Sequence, residues 1–265
     1  MMDDHKDFLW LHVRSLPYFR SLLRSVEARF YLDIQLPSPT LDLGCGDGHF
    51  ASVAFNRQIE VGLDPWGKAI REAAGWGGYQ SLIQANGSKI PFPDHYFASA
   101  MSNSVLEHIH DLESVLRETY RVLKPDARFV FCVPNDRLEV ELSIARFFDR
   151  IGLKQIAHLY RELFNRFSRH HHRDSPAVWK DRLARNGFTV DEWWHYFSPR
   201  AAAVMEWGHY FGLPALVSRW LSGRWILVPE KWNLGLTYRL IKPYYEMNPL
   251  TDSGTYTFYI THRNA

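Results

Sequence analysis

The residues best suited to chemistry form one glycine-rich segment near the start of the chain. An apolar run at 41–43 leads into Gly44, Gly46 and Gly48, which are separated by single residues. Glycines at such spacing let the backbone turn tightly and approach a ligand closely. The segment therefore predicts a ligand-binding loop between a strand and a helix.

Acidic side chains beside this loop favour a cationic ligand over a pyrophosphate. A dinucleotide fingerprint requires glycine or alanine at position 49, where the chain has His49. A carboxylate at the start of the loop, Asp42, also disfavours a bound pyrophosphate. A ligand that carries sulfonium and ammonium groups is attracted by Asp42 and Asp47. An NAD-dependent oxidoreductase therefore remains the alternative, and His49 and Asp42 are the two residues that disfavour it.

A second acidic position follows about 20 residues after the loop. Asp64 ends the segment Val61-Gly62-Leu63-Asp64, where a carboxylate can accept hydrogen bonds from both hydroxyls of a ribose. Pro65 and Trp66 come next and offer an apolar wall to an adenine ring. The competing interpretation is a tight turn in which Asp64 only caps a helix.

The elements that position these residues alternate between strand and helix. Such alternation implies parallel strand pairing and right-handed crossovers, and hence a doubly wound α/β sheet. Strands are predicted at 40–43, 59–63, 80–84, 97–102 and 128–133, and helices at 50–56, 68–74 and 112–123.

The two ends of the chain have a different character. Residues 1–36 are predicted as an N-terminal helical segment, interrupted near Pro17, whose arginines at 14, 20, 24 and 29 form a solvated basic face. Residues 37–265 form the main domain, with helical insertions at about 136–170 and 199–250. A helix at 175–185 and strands at 188–195 and 255–261 complete it.

Composition narrows the class of protein. The 265 residues carry a net charge of only +2, so nucleic acid is not expected as a partner. Two cysteines, Cys45 and Cys132, cannot form a disulfide framework, and no stretch approaches the length of a membrane-spanning helix. Residues 1–5 are acidic and no cleavable apolar segment follows them. We expect a cytoplasmic protein, with a peripheral membrane contact left open.

The segments together resemble the class I S-adenosylmethionine-dependent methyltransferases, of the group called type 11. The resemblance covers residues 38–134 well and 170–195 and 255–262 weakly. It implies a seven-stranded Rossmann-like sheet in the order 3-2-1-4-5-7-6 with only the seventh strand antiparallel. Its motifs read LDLGCGDG at 41–48, VGLDP at 61–65, ANGSKIPFPDHYFA at 85–98, SNSVLEHI at 102–109 and YRVLKPDARFVF at 120–131.

The resemblance also implies a role for each residue of a cofactor site. The glycines bring backbone to the methionine part of S-adenosylmethionine, and Asp64 holds the ribose. Asn86 stands where the family often has aspartate, near the adenine amino group, and can still accept a hydrogen bond. Asn103 and Ser104 line the methionine carboxylate and amine. The predicted cofactor residues are Asp42, Gly44, Cys45, Gly46, Asp64, Pro65, Asn86, Gly87, Asn103 and Ser104.

Three histidines are candidates for action on the methyl acceptor. Methyl transfer needs an in-line approach, and oxygen or nitrogen acceptors also need a base. His108 follows the fourth strand and serves as a base or in packing with Glu107. His171 and His172 lie in a loop that faces the substrate or only solvent. No metal site is predicted, because adjacent histidines cannot all face one ion and no second cluster has ligand spacing.

The aromatic segment at 199–250 has four possible roles. It forms a lid over an acceptor pocket, a membrane-facing surface, a nucleic-acid surface or a small auxiliary core. We expect helices that cover the carboxyl edge of the sheet. The acceptor is predicted to be a small molecule or lipid-like. A non-catalytic cofactor-binding scaffold remains an alternative, and the oligomeric state is left open.

Overall fold

Seven strands form one sheet in the order β3-β2-β1-β4-β5-β7-β6 in the computed structural model, which describes residues 6–265. The prediction made for residues 1–5 lies outside the described residues. The strands are β1 (Thr40–Leu43), β2 (Ile59–Asp64), β3 (Tyr79–Gln84), β4 (Phe97–Asn103), β5 (Leu123–Pro134), β6 (Phe188–Tyr196) and β7 (Tyr256–Arg263).

The pairing of the strands confirms the predicted fold. Strands β1 to β5 pair in parallel, and β7 runs antiparallel to both β5 and β6. Strand β5 begins at Leu123, five residues earlier than predicted, because Leu123 already pairs with Phe97 before a shift in register. The carboxyl ends of β1, β2 and β4 therefore meet at one edge of the sheet.

Helices cover both faces of the sheet. Alternation along β5 divides its side chains: Phe129 and Phe131 enter one apolar core, while Val130 and Cys132 enter the other. The helices between the strands are α3 (His49–Ala54), α4 (Gly67–Ala74), α5 (Leu112–Val122) and α9 (Pro176–Arg185), with a 3-10 turn at Leu106–His108.

The remaining helices lie outside the strand–helix alternation. They are α1 (Phe8–Val13), α2 (Tyr18–Phe30), α6 (Arg137–Glu141), α7 (Ser143–Arg150), α8 (Lys154–Ser168), α10 (Pro199–Phe211), α11 (Leu213–Ser222) and α12 (Lys231–Glu246). The helical stretch predicted after β5 is thus three helices, with one break at Gly152, whose φ is +81°. Between residues 6 and 265, no helix is long and apolar enough to cross a membrane.

The N-terminal helices and the second insertion pack on one another. Leu9 and Val13 of α1 share a buried cluster with Leu234 and Ile241 of α12. Helix α10 lies against α2, where Gly208 leaves just enough room for Phe19. Because Arg24 of α2 donates to the carbonyl of Asn103 at the end of β4, helix α2 lies over the carboxyl edge of the sheet.

Candidate active site

A cavity of about 500 Å³ opens at the carboxyl ends of β1, β2 and β4. It lies between the sheet edge and helix α2. All ten residues predicted for the cofactor line this cavity, and so does His108. Parallel strands that end at one edge explain the convergence, because each loop follows its own strand.

The glycine loop that follows β1 forms one wall of the cavity. The φ angles of Gly44, Gly46 and Gly48 are +80°, +56° and +76°, a region that side chains disfavour. A Cβ atom on Gly44 would collide with Val105, whereas one on Gly46 would meet nothing within 4 Å. Gly46 therefore presents bare backbone to the cavity.

Asp64 joins the loop after β2 to the glycine loop. Its side chain is 7% exposed, and burial raises the pKa of its carboxyl group. One carboxylate oxygen accepts from the Gly46 amide at 3.0 Å, and the other accepts from the Trp66 amide at 2.9 Å. Each oxygen keeps a second lone pair for a ligand hydroxyl. Trp66 stands beside it, 72% exposed.

Asp42 lies at the base of the glycine loop. Its Oδ2 accepts a hydrogen bond of 2.6 Å from the hydroxyl of Tyr79, a partner that the sequence pattern does not indicate. Burial raises the pKa of Asp42 to about 7. The carboxyl group is therefore partly protonated near pH 7. A cation placed in the cavity would favour its charged form.

The loop after β3 supplies Asn86 and Gly87. The side-chain oxygen of Asn86 accepts from the amide of Ser88 at 3.0 Å and so caps its own turn. A Cβ atom on Gly87 would lie 3.1 Å from Leu43 and 3.3 Å from Val115, so glycine keeps this loop close to the sheet. The side-chain oxygen of Asn86 therefore already accepts one hydrogen bond from within its own turn.

A buried carboxylate that the sequence analysis missed holds the end of β4. Glu27 of α2 is fully buried and accepts from Asn103 Nδ2 at 2.7 Å, Ser104 Oγ at 2.9 Å and Tyr196 Oη at 2.9 Å. Arg24 adds an ion pair of 3.0 Å. The side chains of Asn103 and Ser104 thus point to Glu27, although both residues line the cavity.

The predicted solvated basic face of the N-terminal helix is wrong at three of its four arginines, because Arg29 donates to the carbonyl oxygen of Tyr245 at 2.8 Å and Arg20 and Arg24 turn toward the cavity. Arg20 and Arg24 line the cavity, and the side chain of Arg24 is only 19% exposed. They turn inward because α2 lies across the sheet edge, with Glu27 drawing Arg24 to the end of β4. Arg20 makes no hydrogen bond or ion pair with any residue between 6 and 265, and its pKa is lowered by burial. A guanidinium without a carboxylate partner in a cavity wall suits an anionic ligand group.

His108 lines the cavity from the 3-10 turn that follows β4. Its Nδ1 lies 3.0 Å from the carbonyl oxygen of Arg169, and its Nε2 lies 3.7 Å from Glu107. A carbonyl oxygen only accepts, so Nδ1 carries the proton and Nε2 keeps a lone pair. Burial lowers the pKa of His108 and raises that of Glu107 to about 8.

His170 joins this pair from a distant segment. Ligand atoms of Glu107, His108 and His170 lie within 4.8 Å of one another. Spacing along the chain does not reveal this group, because it forms only when the loop before α9 folds back onto the 3-10 turn. The expectation that no metal is bound rests on spacing and stays a prediction.

The other two histidine candidates take different positions. The amides of His171 and His172 donate to the carbonyl oxygen of Glu107 at 2.7 and 3.2 Å. The ring of His171 stacks on His110, and Nε2 of His172 lies 2.9 Å from the carbonyl oxygen of Ile109. Neither lines the cavity, so only His108 of the three predicted histidines reaches it.

A side cavity of about 370 Å³ adjoins the first. The two cavities share Arg20, Arg24 and His108. The side cavity has no carboxylate in its lining, and half of its lining residues are aromatic or apolar, the other half being arginine, histidine and serine. The apolar lining comprises Phe19, Leu23, Phe164, Phe167, Met205 and Tyr256.

The central part of the chain is similar in sequence to known methyltransferases. Residues 41–131 match the family model described as a methyltransferase domain. The chain is 31% identical over 97 residues to YcgJ of Bacillus subtilis, an uncharacterized methyltransferase, covering 34% of this chain and 38% of that protein. It is 35% identical over 75 residues to the ubiquinone/menaquinone biosynthesis C-methyltransferase of Vibrio cholerae, covering 28% and 27%. The chain thus spans less than two fifths of the length of these relatives.

Solved structures share the fold over nearly the whole chain. A SAM-dependent methyltransferase from Thermotoga maritima superposes with a TM-score of 0.53 at 16% identity, covering 94% of this chain and 90% of that one. An S-adenosylmethionine-dependent methyltransferase from Mesorhizobium loti gives 0.52 at 16% identity, covering 92% and 100%. At such identities the likeness shows the fold alone.

Proposed function

We propose that the chain is a class I S-adenosylmethionine-dependent methyltransferase that transfers a methyl group from S-adenosylmethionine to a small or lipid-like acceptor, a proposal supported by the methyltransferase-domain match at residues 41–131. One observation carries the proposal. Ten residues at the carboxyl ends of four strands, predicted from the glycine and acidic patterns and from the family resemblance, line a single cavity.

The cofactor lies along the sheet edge in this proposal. Its methionine part rests on the bare backbone at Gly46, and its carboxylate faces Arg20. Asp64 accepts from the ribose hydroxyls through its remaining lone pairs. The adenine lies between Trp66 and the turn at Asn86, in reach of polar groups on that turn.

Asp64→Ala is expected to weaken S-adenosylmethionine binding by about 1.5–3 kcal/mol, the range for hydrogen bonds to a charged group. The lost carboxylate also releases the Gly46 amide, so the glycine loop is less well held. Isothermal titration calorimetry on folded protein measures the change directly.

The matched control is Asp33→Ala. Asp33 is an exposed aspartate outside this cavity, so its removal should leave affinity unchanged. Wild-type affinity in a folded Asp64→Ala protein would remove Asp64 from the cofactor site.

The side cavity is the proposed acceptor site. It meets the cofactor cavity at Arg20, Arg24 and His108, so an acceptor there would lie beside the cofactor. The aromatic and aliphatic side chains favour an apolar body, and Ser168, His170 and His209 favour a polar group on the same molecule. The acceptor is therefore proposed to be an apolar molecule with one polar end.

His108 is the proposed base for an oxygen or nitrogen acceptor. The acceptor atom forms a bond to the methyl carbon as the bond from that carbon to sulfur breaks, which leaves S-adenosylhomocysteine. The acceptor proton passes to Nε2 of His108, whose lone pair is free because Nδ1 donates to Arg169. Proton transfer of this kind contributes about 100-fold or more to rate.

His108→Asn is expected to slow methyl transfer about 100-fold at pH 7. Because burial lowers the pKa of His108, the wild-type ring is neutral at pH 7 and the rate should fall only as pH drops below the ordinary histidine value. Transfer of label from methyl-tritiated S-adenosylmethionine into a cell extract used as acceptor mixture measures both effects.

The control variant is His110→Asn, since His110 is exposed and does not line the cofactor cavity. It should keep wild-type transfer, and both variants should bind the cofactor within about threefold of wild type, less than 1 kcal/mol. Equal transfer by His108→Asn and wild type at every pH would exclude His108 as the base.

A further inference from the structure

Helices α11 and α12 carry large apolar side chains that no part of the described chain covers. Trp220 and Leu221 of α11 are 83% and 70% exposed, and Trp232, Leu236 and Leu240 of α12 are 80%, 71% and 63% exposed. Exposed apolar residues are ordinary when scattered, but a row of them along one side of a helix, as at 232, 236 and 240 of α12, marks an interaction surface. These five side chains are called the apolar face below.

Helix α12 has a fixed orientation that makes this exposure a property of the fold. Leu234 and Ile241 are buried in a cluster with α1. Trp232, Leu236 and Leu240 recur every four residues and so occupy a different side of the helix, turned to solvent. Rotating α12 to cover them would expose its buried side.

Helix α11 is held by polar contacts rather than by apolar burial. None of its described side chains is buried. Arg219 pairs with Glu72 of α4, and Ser218 Oγ donates to the carbonyl oxygen of Arg224 at 2.8 Å. Its apolar residues therefore do not serve to attach α11 to the domain.

The charge of the helical insertions identifies the kind of partner. Residues 136–170 and 199–250 together contain 13 lysines and arginines against 8 acidic residues, whereas the rest of the chain contains 18 against 21. Arg224 follows the end of α11, Lys231 and Arg239 precede Trp232 and Leu240 in α12, and none of these three basic residues forms an ion pair within residues 6–265. Tryptophan beside lysine and arginine is the composition of surfaces that lie in a headgroup layer.

We propose that the apolar face of α11 and α12 docks on a lipid bilayer with anionic headgroups. The two tryptophans lie at headgroup level, the leucines enter the acyl boundary, and Arg224, Lys231 and Arg239 meet lipid phosphates. A second copy of the chain fits less well, because two copies of this face would bring like charges together. The inference does not depend on the methyl-transfer proposal, because vesicle binding is measured without turnover.

Co-sedimentation of the full chain with vesicles tests the proposal. Vesicles of phosphatidylcholine with one third phosphatidylglycerol should bind the protein, and pure phosphatidylcholine should bind it at least about tenfold more weakly. The double variant Trp220→Asp/Trp232→Asp should lose binding to anionic vesicles by a similar factor. The matched control Leu32→Asp/Val140→Asp changes two exposed apolar residues elsewhere and should bind as wild type does.

A second double variant tests how much the basic residues contribute to vesicle binding. Lys231→Glu/Arg239→Glu should weaken binding to anionic vesicles, and raising the salt concentration should weaken wild-type binding. Equal binding to neutral and anionic vesicles, or equal loss in the leucine–valine control, would overturn the proposal. So would a dimer in sedimentation velocity that only Trp220→Asp/Trp232→Asp dissolves.

Fluorescence quenching in the wild-type protein tests the proposal even if the Trp220→Asp/Trp232→Asp variant is unstable. Brominated phosphatidylcholine, mixed with phosphatidylglycerol, should quench the tryptophan fluorescence of bound protein, and Trp232→Phe should lose part of that quenching. Bound protein whose tryptophans are not quenched would overturn the proposed face.

Discussion

Glu27→Ala is expected to lower the free energy of unfolding by about 3–5 kcal/mol, the cost of breaking a buried ion pair by removing one partner. The substitution leaves the Arg24 guanidinium without its carboxylate and deprives Asn103, Ser104 and Tyr196 of their acceptor. Urea unfolding followed by circular dichroism measures the change.

Two control variants distinguish the effect of losing the Glu27 hydrogen-bond network from the effect of losing any glutamate side chain. Glu192→Ala removes an exposed glutamate and should change stability by less than about 0.5 kcal/mol. Glu27→Gln keeps the volume and part of the accepting capacity, so it should fall between Glu27→Ala and wild type. A Glu27→Ala protein as stable as wild type would show that the network does not hold the end of β4.

Gly46→Val is expected to weaken S-adenosylmethionine binding by roughly 100-fold or more while the fold persists. The φ of Gly46 is +56°, which a branched residue resists, and its Cβ would point into open space inside the cavity. The added side chain therefore meets the ligand and not the protein. Calorimetric titration gives the affinity, and thermal melting shows whether the protein is folded.

The chain offers a close control for backbone strain. Gly77 has a φ of +66°, and a Cβ atom added to it, as to Gly46, would meet nothing within 4 Å, but Gly77 lies outside the cavity. Gly77→Val should therefore lose similar stability and keep cofactor affinity. Equal affinity in the two variants would mean that Gly46 does not touch the cofactor.

The sheet and the cofactor cavity can be predicted from the sequence because both depend on local signals. Alternating apolar residues determine the strands, and glycines that must adopt positive φ identify the loop at Gly44, Gly46 and Gly48. Asp64 can be placed because it ends a strand whose neighbour is also recognisable. Parallel strands then fix which loops meet.

The contacts across helix α2 cannot be predicted in this way. Glu27 meets Asn103 and Tyr196, which lie 76 and 169 positions away in the chain. Helical spacing predicts the helix but not the direction in which its charged side faces. It therefore predicts a solvated face for all four arginines, and only the packed structure shows that Arg20 and Arg24 turn toward the cavity.

The histidine loop shows the same limit. His170 approaches His108 because the following amides, of His171 and His172, donate to Glu107 and fold the loop back. The sequence indicates a loop near the site but not which of its three histidines faces inward. The neighbour of His108 is His170, whereas the other two predicted candidates, His171 and His172, lie outside the cavity.

The most direct test of the central claim is calorimetric titration of the wild-type chain with S-adenosylmethionine and, separately, with NAD. The expected result is saturable binding of S-adenosylmethionine at one site and no measurable binding of NAD, because Asp42 and Asp47 repel a pyrophosphate and attract a sulfonium. Binding of NAD in preference to S-adenosylmethionine, or no binding of S-adenosylmethionine to folded protein, would contradict it.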